Sequence, residues 1–380
     1  MSDTEGSWSG TAPTAPKYLA LAGTLRGAIA VGRWPLGARL PVERELAHQH
    51  QVALNTVRRA VALLCREGLL ERRQGSGTYV LARPSERGAK PDVVGVLVPS
   101  TTYYYPRVLE GIERALSAQD VRMMLSCAAY DPAEELRQAE RLVASGAQGL
   151  IVVPTLHTNP DPVAHLAALK AVGVPQVLVE RIPPSPAPDD DTEYVATDHV
   201  AGAYAAVRHL RDLGHERVGY LGRSGTASSA SVGAGFDAAV TARITSADNL
   251  LREESDSWPA ESFDAFVRTC ADRGVTAVLC LGDREGAGLE AAVHRAGRRV
   301  PGDLAVVAYD DEVADLAEVP LTAVRPPKEE LGRLAAQLLL RRLRLGPSAA
   351  RHQVRIKPAI IVRDSCGARL STQSLSLLAV

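Results

Sequence analysis

Two groups of side chains in this 380-residue chain could do chemistry. The first lies in "VALNTVRRAVALL", residues 52–64, where Asn55, Arg58 and Arg59 share the polar side of an apolar helical repeat at Val57, Val61 and Leu64. Arginine can hydrogen-bond a guanine edge in a bidentate way, so such a helix could read a DNA groove. Arg59, Arg72 and Arg73 suit phosphates, which give affinity without sequence information. For Arg58 and Arg59 the competing reading is a solvated helix face. The second group begins with three consecutive tyrosines, Tyr103, Tyr104 and Tyr105, in a chain with only 4% aromatic residues. Core positions recur every two, three or four residues, so a consecutive triplet in a loop favours a binding surface. Asp310 ends the apolar run "LAVVAYD", where it could meet a ligand or cap the following turn.

Other chemistries lack their residues. No CxxC pair, HExxH spacing, nucleophile elbow or phosphate-binding Walker loop occurs. No metal site or cofactor is therefore expected, and the five cysteines read as reduced thiols of a cytoplasmic protein. No signal-peptide pattern opens the chain, and no run of about 18 apolar residues suggests a membrane span.

The two groups need different scaffolds. Apolar content of 46% and charged content of 23% allow a substantial core, and the length predicts two or three domains. Charge is unevenly spread. Residues 17–83 hold 11 Lys/Arg against 4 Asp/Glu, leaving the rest of the chain acidic. A small basic module on an acidic body suits a local polyanion contact. Within 17–81, Leu21, Leu25 and Ile29 mark one helix, "VERELAHQH" a second and "LNTVRRAVALLCREG" a third, closed by Gly68. "LLERRQGSGTYVL" then reads as a hairpin. Three helices and a hairpin predict a winged helix-turn-helix. Residues 1–16 read as a disordered tail, 82–91 as a linker and 367–380 as a second tail. From 92 to 366, buried-strand runs such as "VVGVLVP", "GLIVVP" and "LAVVAYD" alternate with amphipathic helices, which predicts parallel α/β layers. The pattern restarts near residue 195 and suggests two lobes, one of about 92–194 plus 322–345 and one of about 195–320 plus 350–363.

The motifs "LP-ERELA", "NTVRRAV", "L..EGLL" and "GSGTYV" resemble the DNA-binding domain of the GntR family of bacterial repressors. That resemblance implies DNA contacts by Arg44, Asn55, Thr56 and Arg58, with the wing-tip Gly75 close to DNA. The sequence departs from the family at Val42, Ala53 and Leu54, which removes two polar cap residues and a base-contacting arginine. Asn55 is the alternative cap, with the helix start moved by about two residues. The larger module, through "GVLVPS", "VPQVLVER", "V-TDH-AGA", "VPGDLAVVAYDD" and "IIVRDSC", resembles the effector domain of LacI/GalR repressors, which has the two-lobed fold of periplasmic sugar-binding proteins. The resemblance implies an effector cleft containing Tyr104, Tyr105, Glu180, Arg181, Asp198, Asp283 and Asp310. A ligand-clamping arginine of the family is replaced at Val232, and an asparagine at Gly282. The carboxylates favour a neutral polyol, such as a sugar, over a polyanion.

The combined expectation is an α/β protein of two modules. It would be a homodimeric repressor that binds an operator in double-stranded DNA and is released by a small polar effector. A constitutive regulator that has lost its effector, and an enzyme acting on a sugar or nucleotide, are the competing readings.

Overall fold

The computed structural model describes residues 17–30, 32–66, 69–73, 76–81, 93–184, 186–245 and 251–368. The expected tail 1–16, linker 82–91 and most of the C-terminal tail lie outside them, as do Gly68 and Gly75. The chain divides into two compact units, Met1–Lys90 with Arg344–Ser348, and Pro91–Leu343 with Ala349–Val380.

The first unit contains α1 (Lys17–Ala30), α2 (Glu43–Gln49), α3 (Leu54–Arg66), β1 (Leu70–Arg73) and β2 (Gly77–Val80). Leu21, Leu25 and Ile29 of α1 meet Leu46 of α2 and Val57, Val61 and Leu64 of α3 in one core. Each such buried side chain contributes about 1.5–3 kcal/mol, enough to define the packing of a small domain. The two strands pair antiparallel, Leu70 opposite Val80 and Arg73 opposite Gly77. Gly77 has a φ of 123°, and a Cβ there would meet the Arg39 side chain. Val42 precedes α2 without a side-chain cap. Asn55 is not the cap of α3. The helix already starts at Leu54, and the Ala53 carbonyl accepts the first amides, from Thr56 and Val57. The backbone begins the helix without a side-chain oxygen, so Asn55 stays exposed on its first turn.

In the second unit, the first sheet uses β3 (Val93–Val98), β4 (Arg122–Cys127), β5 (Leu150–Val152), β6 (Gln176–Val179), β7 (Glu193–Thr197) and β13 (Gln353–Ile356). Its order is β13-β7-β6-β5-β3-β4, parallel throughout. The helices α4 (Tyr105–Ser117), α5 (Pro132–Ala144), α6 (Pro162–Ala171) and α11 (Lys328–Leu345) accompany it. The second sheet uses β8 (Val218–Arg223), β9 (Arg252–Ser255), β10 (Ala277–Cys280), β11 (Ala305–Tyr309), β12 (Thr322–Arg325) and β14 (Ala359–Ile361). Its order is β14-β12-β11-β10-β8-β9, with only β14 antiparallel. Here α7 (His199–Asp212), α8 (Ser229–Thr241), α9 (Ala260–Asp272) and α10 (Asp283–Arg295) supply the cover.

Two segments sit in the opposite lobe from the one expected. Thr322–Arg325 pairs with β11 in the second sheet, whereas Gln353–Ile356 pairs with β7 in the first. The backbone therefore crosses between lobes three times, after Thr197, after Arg325 and after Ile356. The apolar face of α11 nevertheless belongs to the first lobe, where Leu331, Ala335 and Leu339 join Val94, Val96 and Ile112. Glycines set that approach. A Cβ on Gly332 would lie 2.1 Å from the Val108 carbonyl, and one on Gly111 2.0 Å from that of Glu329.

Candidate functional site

A groove of about 500 Å³ opens in the first unit between the start of α2, α3 and the hairpin. Arg44, Arg58, Arg72 and Arg73 line it, together with Arg39. Glu43 neutralises part of this charge, holding Arg58 at 3.0 Å and Arg72 at 2.6 Å. Arg73 pairs with Glu71 at 2.8 Å and covers the Tyr79 ring. Arg59 is exposed on α3 but lies over the Tyr18 ring, 4.2 Å from its centroid, and does not line the groove. Asn55 and Thr56 also lie outside the groove lining, on the first turn of α3. Sequence reasoning missed Glu43 and Arg39. The signal for Glu43 was an acid directly before Arg44 in a basic module.

The second unit carries a cleft of about 400 Å³, a size suited to a small ligand. It opens at the carboxyl ends of strands from both sheets, the usual ligand position in such sheets. The loop after β3 brings Tyr103 and Tyr104, and Tyr105 begins α4. Glu180 and Arg181 follow β6, Asp310 follows β11, and Arg223 ends β8. Tyr103, Glu180 and Asp310 take left-handed backbone angles, with φ of 57°, 57° and 89°. Non-glycine residues hold such angles only where the surroundings fix them, often at functional sites.

Glu180 is buried and fully engaged. Its carboxylate accepts from the Tyr104 hydroxyl, from the Thr197 hydroxyl at 2.6 Å and from the Thr197 amide at 3.0 Å. His199 Nε2 stands 3.5 Å away. Burial pushes the Glu180 carboxyl upward, but His199, Thr197 and Tyr104 together bring it down to about 2. Arg181 is fixed by the Pro154 carbonyl at 3.1 Å, its neighbour Glu180's carbonyl at 2.7 Å and the Tyr105 hydroxyl at 3.3 Å. Asp310 donates its amide to the Val324 carbonyl, and its own carbonyl accepts from Lys328. It does not cap a helix; the next helical turn starts after Val313. Burial pushes its carboxyl up to about 7 against the pull of Lys328, with Asp283 adding to the rise.

Two expected cleft residues are placed elsewhere. Asp198 caps α7, accepting from the Ala201 amide at 3.0 Å, because the chain leaves the first crossing directly into that helix. Asp283 is fully buried and accepts three amides, from Asp311 at 3.1 Å, Glu312 at 2.5 Å and Val313 at 2.9 Å. It supports the loop that carries Asp310 and does not line the cleft. Val232 also points away, into the core of the second lobe; Ser228 is the cleft residue just before α8. Residues that sequence reasoning missed are His157, His199, Arg223 and Arg284. Arg223 had the same signal as Glu180, a charged residue at the end of an apolar strand. Among the described residues, no cluster of His, Cys, Asp or Glu could hold a metal ion. No described helix is long and apolar enough to cross a membrane.

Comparison with known proteins agrees with both halves. Residues 17–80 match the bacterial regulatory proteins of the gntR family, and residues 207–366 match a periplasmic binding protein-like domain. The arabinose metabolism transcriptional repressor of Geobacillus stearothermophilus is 27% identical over 360 residues, 93% of this chain and 98% of that protein. The HTH-type transcriptional regulator CelR of Thermobifida fusca is 30% identical over 266 residues, 69% of this chain and 76% of that protein. A solved structure of a CelR–cellobiose complex aligns with a TM-score of 0.61 at 26% identity, covering 93% of this chain and all of that one. These relatives are transcriptional regulators, not enzymes. The chain therefore belongs to the family of bacterial DNA-binding transcriptional regulators that join a GntR-type winged helix-turn-helix to a periplasmic-binding-protein-like domain of the LacI type.

Proposed function

We propose that this regulator is a cytoplasmic, homodimeric repressor that leaves its operator when a sugar-like effector enters the cleft of the second unit. The observation that carries this reading is the cleft itself. It combines a tyrosine cluster, the fixed Arg181 and the carboxylate of Asp310, whose side chain has no hydrogen-bond partner among the described residues. Aromatic rings stack on sugar faces and a carboxylate accepts sugar hydroxyls, so the lining suits a hydroxyl-rich ligand. The names of the relatives, an arabinose-metabolism repressor and a regulator crystallised with cellobiose, support the same class. Arg44, Arg58, Arg72 and Arg73 would meet the operator, with Asn55, Thr56 and Gly75 as further contacts and Arg59 on phosphate. Two copies would bind two half-sites, since one such module contacts few bases.

The test is fluorescence anisotropy on labelled DNA from the chain's own genomic neighbourhood, titrated with a panel of sugars. A repressor of this kind binds a specific site and leaves it in the presence of one of them. Asp310→Ala should bind the same site with unchanged affinity and no longer respond. A response that persists in Asp310→Ala removes Asp310 from the cleft assignment.

A further inference from the structure

The carboxylates expected to greet a neutral ligand are mostly occupied inside the protein. Glu180 is consumed by Tyr104, Thr197 and His199, Asp198 by a helix end and Asp283 by three amides. Glu285 stands 3.6 Å from Arg223. Asp310 is left as the one cleft carboxylate without a partner among the described residues. The cations are less matched. Arg181 is half-buried, and its three hydrogen bonds go to two carbonyls and a neutral tyrosine hydroxyl. No carboxylate reaches it within ion-pair distance among the described residues. Arg284 is exposed and lies over the Tyr103 ring, 5.0 Å from its centroid, so the burial cost falls on Arg181. A guanidinium withdrawn from water without a counter-charge is costly, and a ligand anion relieves that cost.

The fork of Arg181 is also pre-aimed. Two carbonyls hold it rigid, so little freedom is lost when it binds. His157 stands on the same wall, where burial and the charge of Arg181 lower its pKa and favour the neutral ring. Arg181 belongs to the first lobe and Asp310 to the second, and both line one cavity. From this arrangement we infer that the effector is a sugar carrying one anionic group, a carboxylate or a phosphate, with the anion on Arg181 and hydroxyls on Asp310. The inference rests on the proposed sensor function and narrows its ligand class.

Calorimetric titration of the full chain tests it. The anionic probes are D-gluconate, D-glucuronate, L-arabinonate and D-glucose 6-phosphate; the neutral ones are D-glucose, L-arabinose and cellobiose. At least one anionic probe should bind about tenfold or more tightly than its neutral counterpart. The carboxylate and phosphate arms then identify the source of the charge. Arg181→Gln should remove that advantage, and Arg181→Lys should retain part of it. Melting of the unliganded variants shows whether they fold. If Arg181→Gln does not, wild-type binding of the anionic probe must weaken with added NaCl while any neutral binding does not. Tighter binding of a neutral sugar overturns the inference and leaves the sensor reading intact. An anionic advantage that persists in a folded Arg181→Gln variant also overturns it, as does one that is insensitive to salt where that variant does not fold. Binding of no probe in either series counts against both readings.

Discussion

Asp310→Asn should stabilise this protein at neutral and alkaline pH. The Asp310 carboxyl is pushed from its ordinary 3.8 up to about 7, chiefly by burial and against the pull of Lys328, and among the described residues no donor replaces water at its side chain. Its ionised form is thus more costly in the folded than in the unfolded chain. The wild type's stability from the neutral Asp310 carboxyl is fully present below about pH 4, falls as pH rises, and is gone once pH passes about 7, so the advantage of asparagine grows over the same range. The gap corresponds to roughly 4 kcal/mol, an upper bound because water in an open cleft screens part of it. Asparagine has nearly the same shape and no charge to desolvate. For a domain of this size about 1 kcal/mol moves the melting temperature by roughly 2 °C, so the variant should melt up to about 8 °C higher at pH 8. At pH 4 the two proteins should melt within a degree or so of each other. Scanning calorimetry of wild type and Asp310→Asn from pH 4 to pH 8 reads the difference directly, since the other titrating groups cancel. Equal melting at pH 8 would refute the reasoning, because the charge would then be solvated or paired. A ligand that donates hydroxyl hydrogens to Asp310 should favour the anion and release protons on binding near pH 6–7, which heats measured in two buffers of different ionisation enthalpy would detect.

Other substitutions probe other links. Arg58→Ala should cost about 1–3 kcal/mol of specific DNA binding and well under 1 kcal/mol of stability, since its pair with Glu43 is exposed; unchanged operator affinity in anisotropy removes it from the reading set. Asp283→Ala leaves three buried amides without an acceptor and should destabilise by about 2–4 kcal/mol, as the removal of a desolvated carboxylate offsets part of the loss. Its unfolding midpoint in urea should therefore fall, and an unchanged midpoint would mean that the loop finds other acceptors. Gly332→Ala places a methyl against the Val108 carbonyl and should cost about 1–3 kcal/mol or more, read from the same transition. A neutral result would mean that α11 can slide along α4.

The elements with a strong period were legible. The repeat at Leu21, Leu25 and Ile29 and the run "VVGVLV" are buried as their spacing implies, because burial is what enforces the spacing. The strand "REES" at 252–255 was not legible. It lies at the sheet edge, pairs only with β8 among the described residues and has no apolar face to betray it. Lobe membership of Thr322–Arg325 and Gln353–Ile356 was also hidden, since sheet assignment depends on long-range pairing and not on local composition. At the cleft, the family resemblance together with strand position pointed to Glu180, Arg181 and Asp310, but could not tell an available carboxylate from an occupied one. Asp283 and Asp310 both follow buried strands. Only the three amides converging on Asp283 separate the support from the candidate ligand contact.

That support has a mechanical consequence. The loop held by Asp283 carries both Asp310 and Glu312 on the second lobe. Lys328, buried at the start of α11 in the first lobe, donates to the Asp310 carbonyl. It also pairs with Glu312 at 2.5 Å, off the hydrogen-bond axis, and Arg107 of α4 stands 3.7 Å from the same carboxylate. A second bridge runs from Glu180 through His199 to the Tyr309 hydroxyl, at 3.5 Å and 3.1 Å. Both bridges join the lobes beside chain crossings. A ligand changes the balance of two states only through contacts that differ between them. One drawn to the Asp310 carboxylate would act on a residue whose carbonyl is already tied to the opposite lobe. The Lys328 contacts therefore tie the cleft-facing loop of the second lobe to the first lobe.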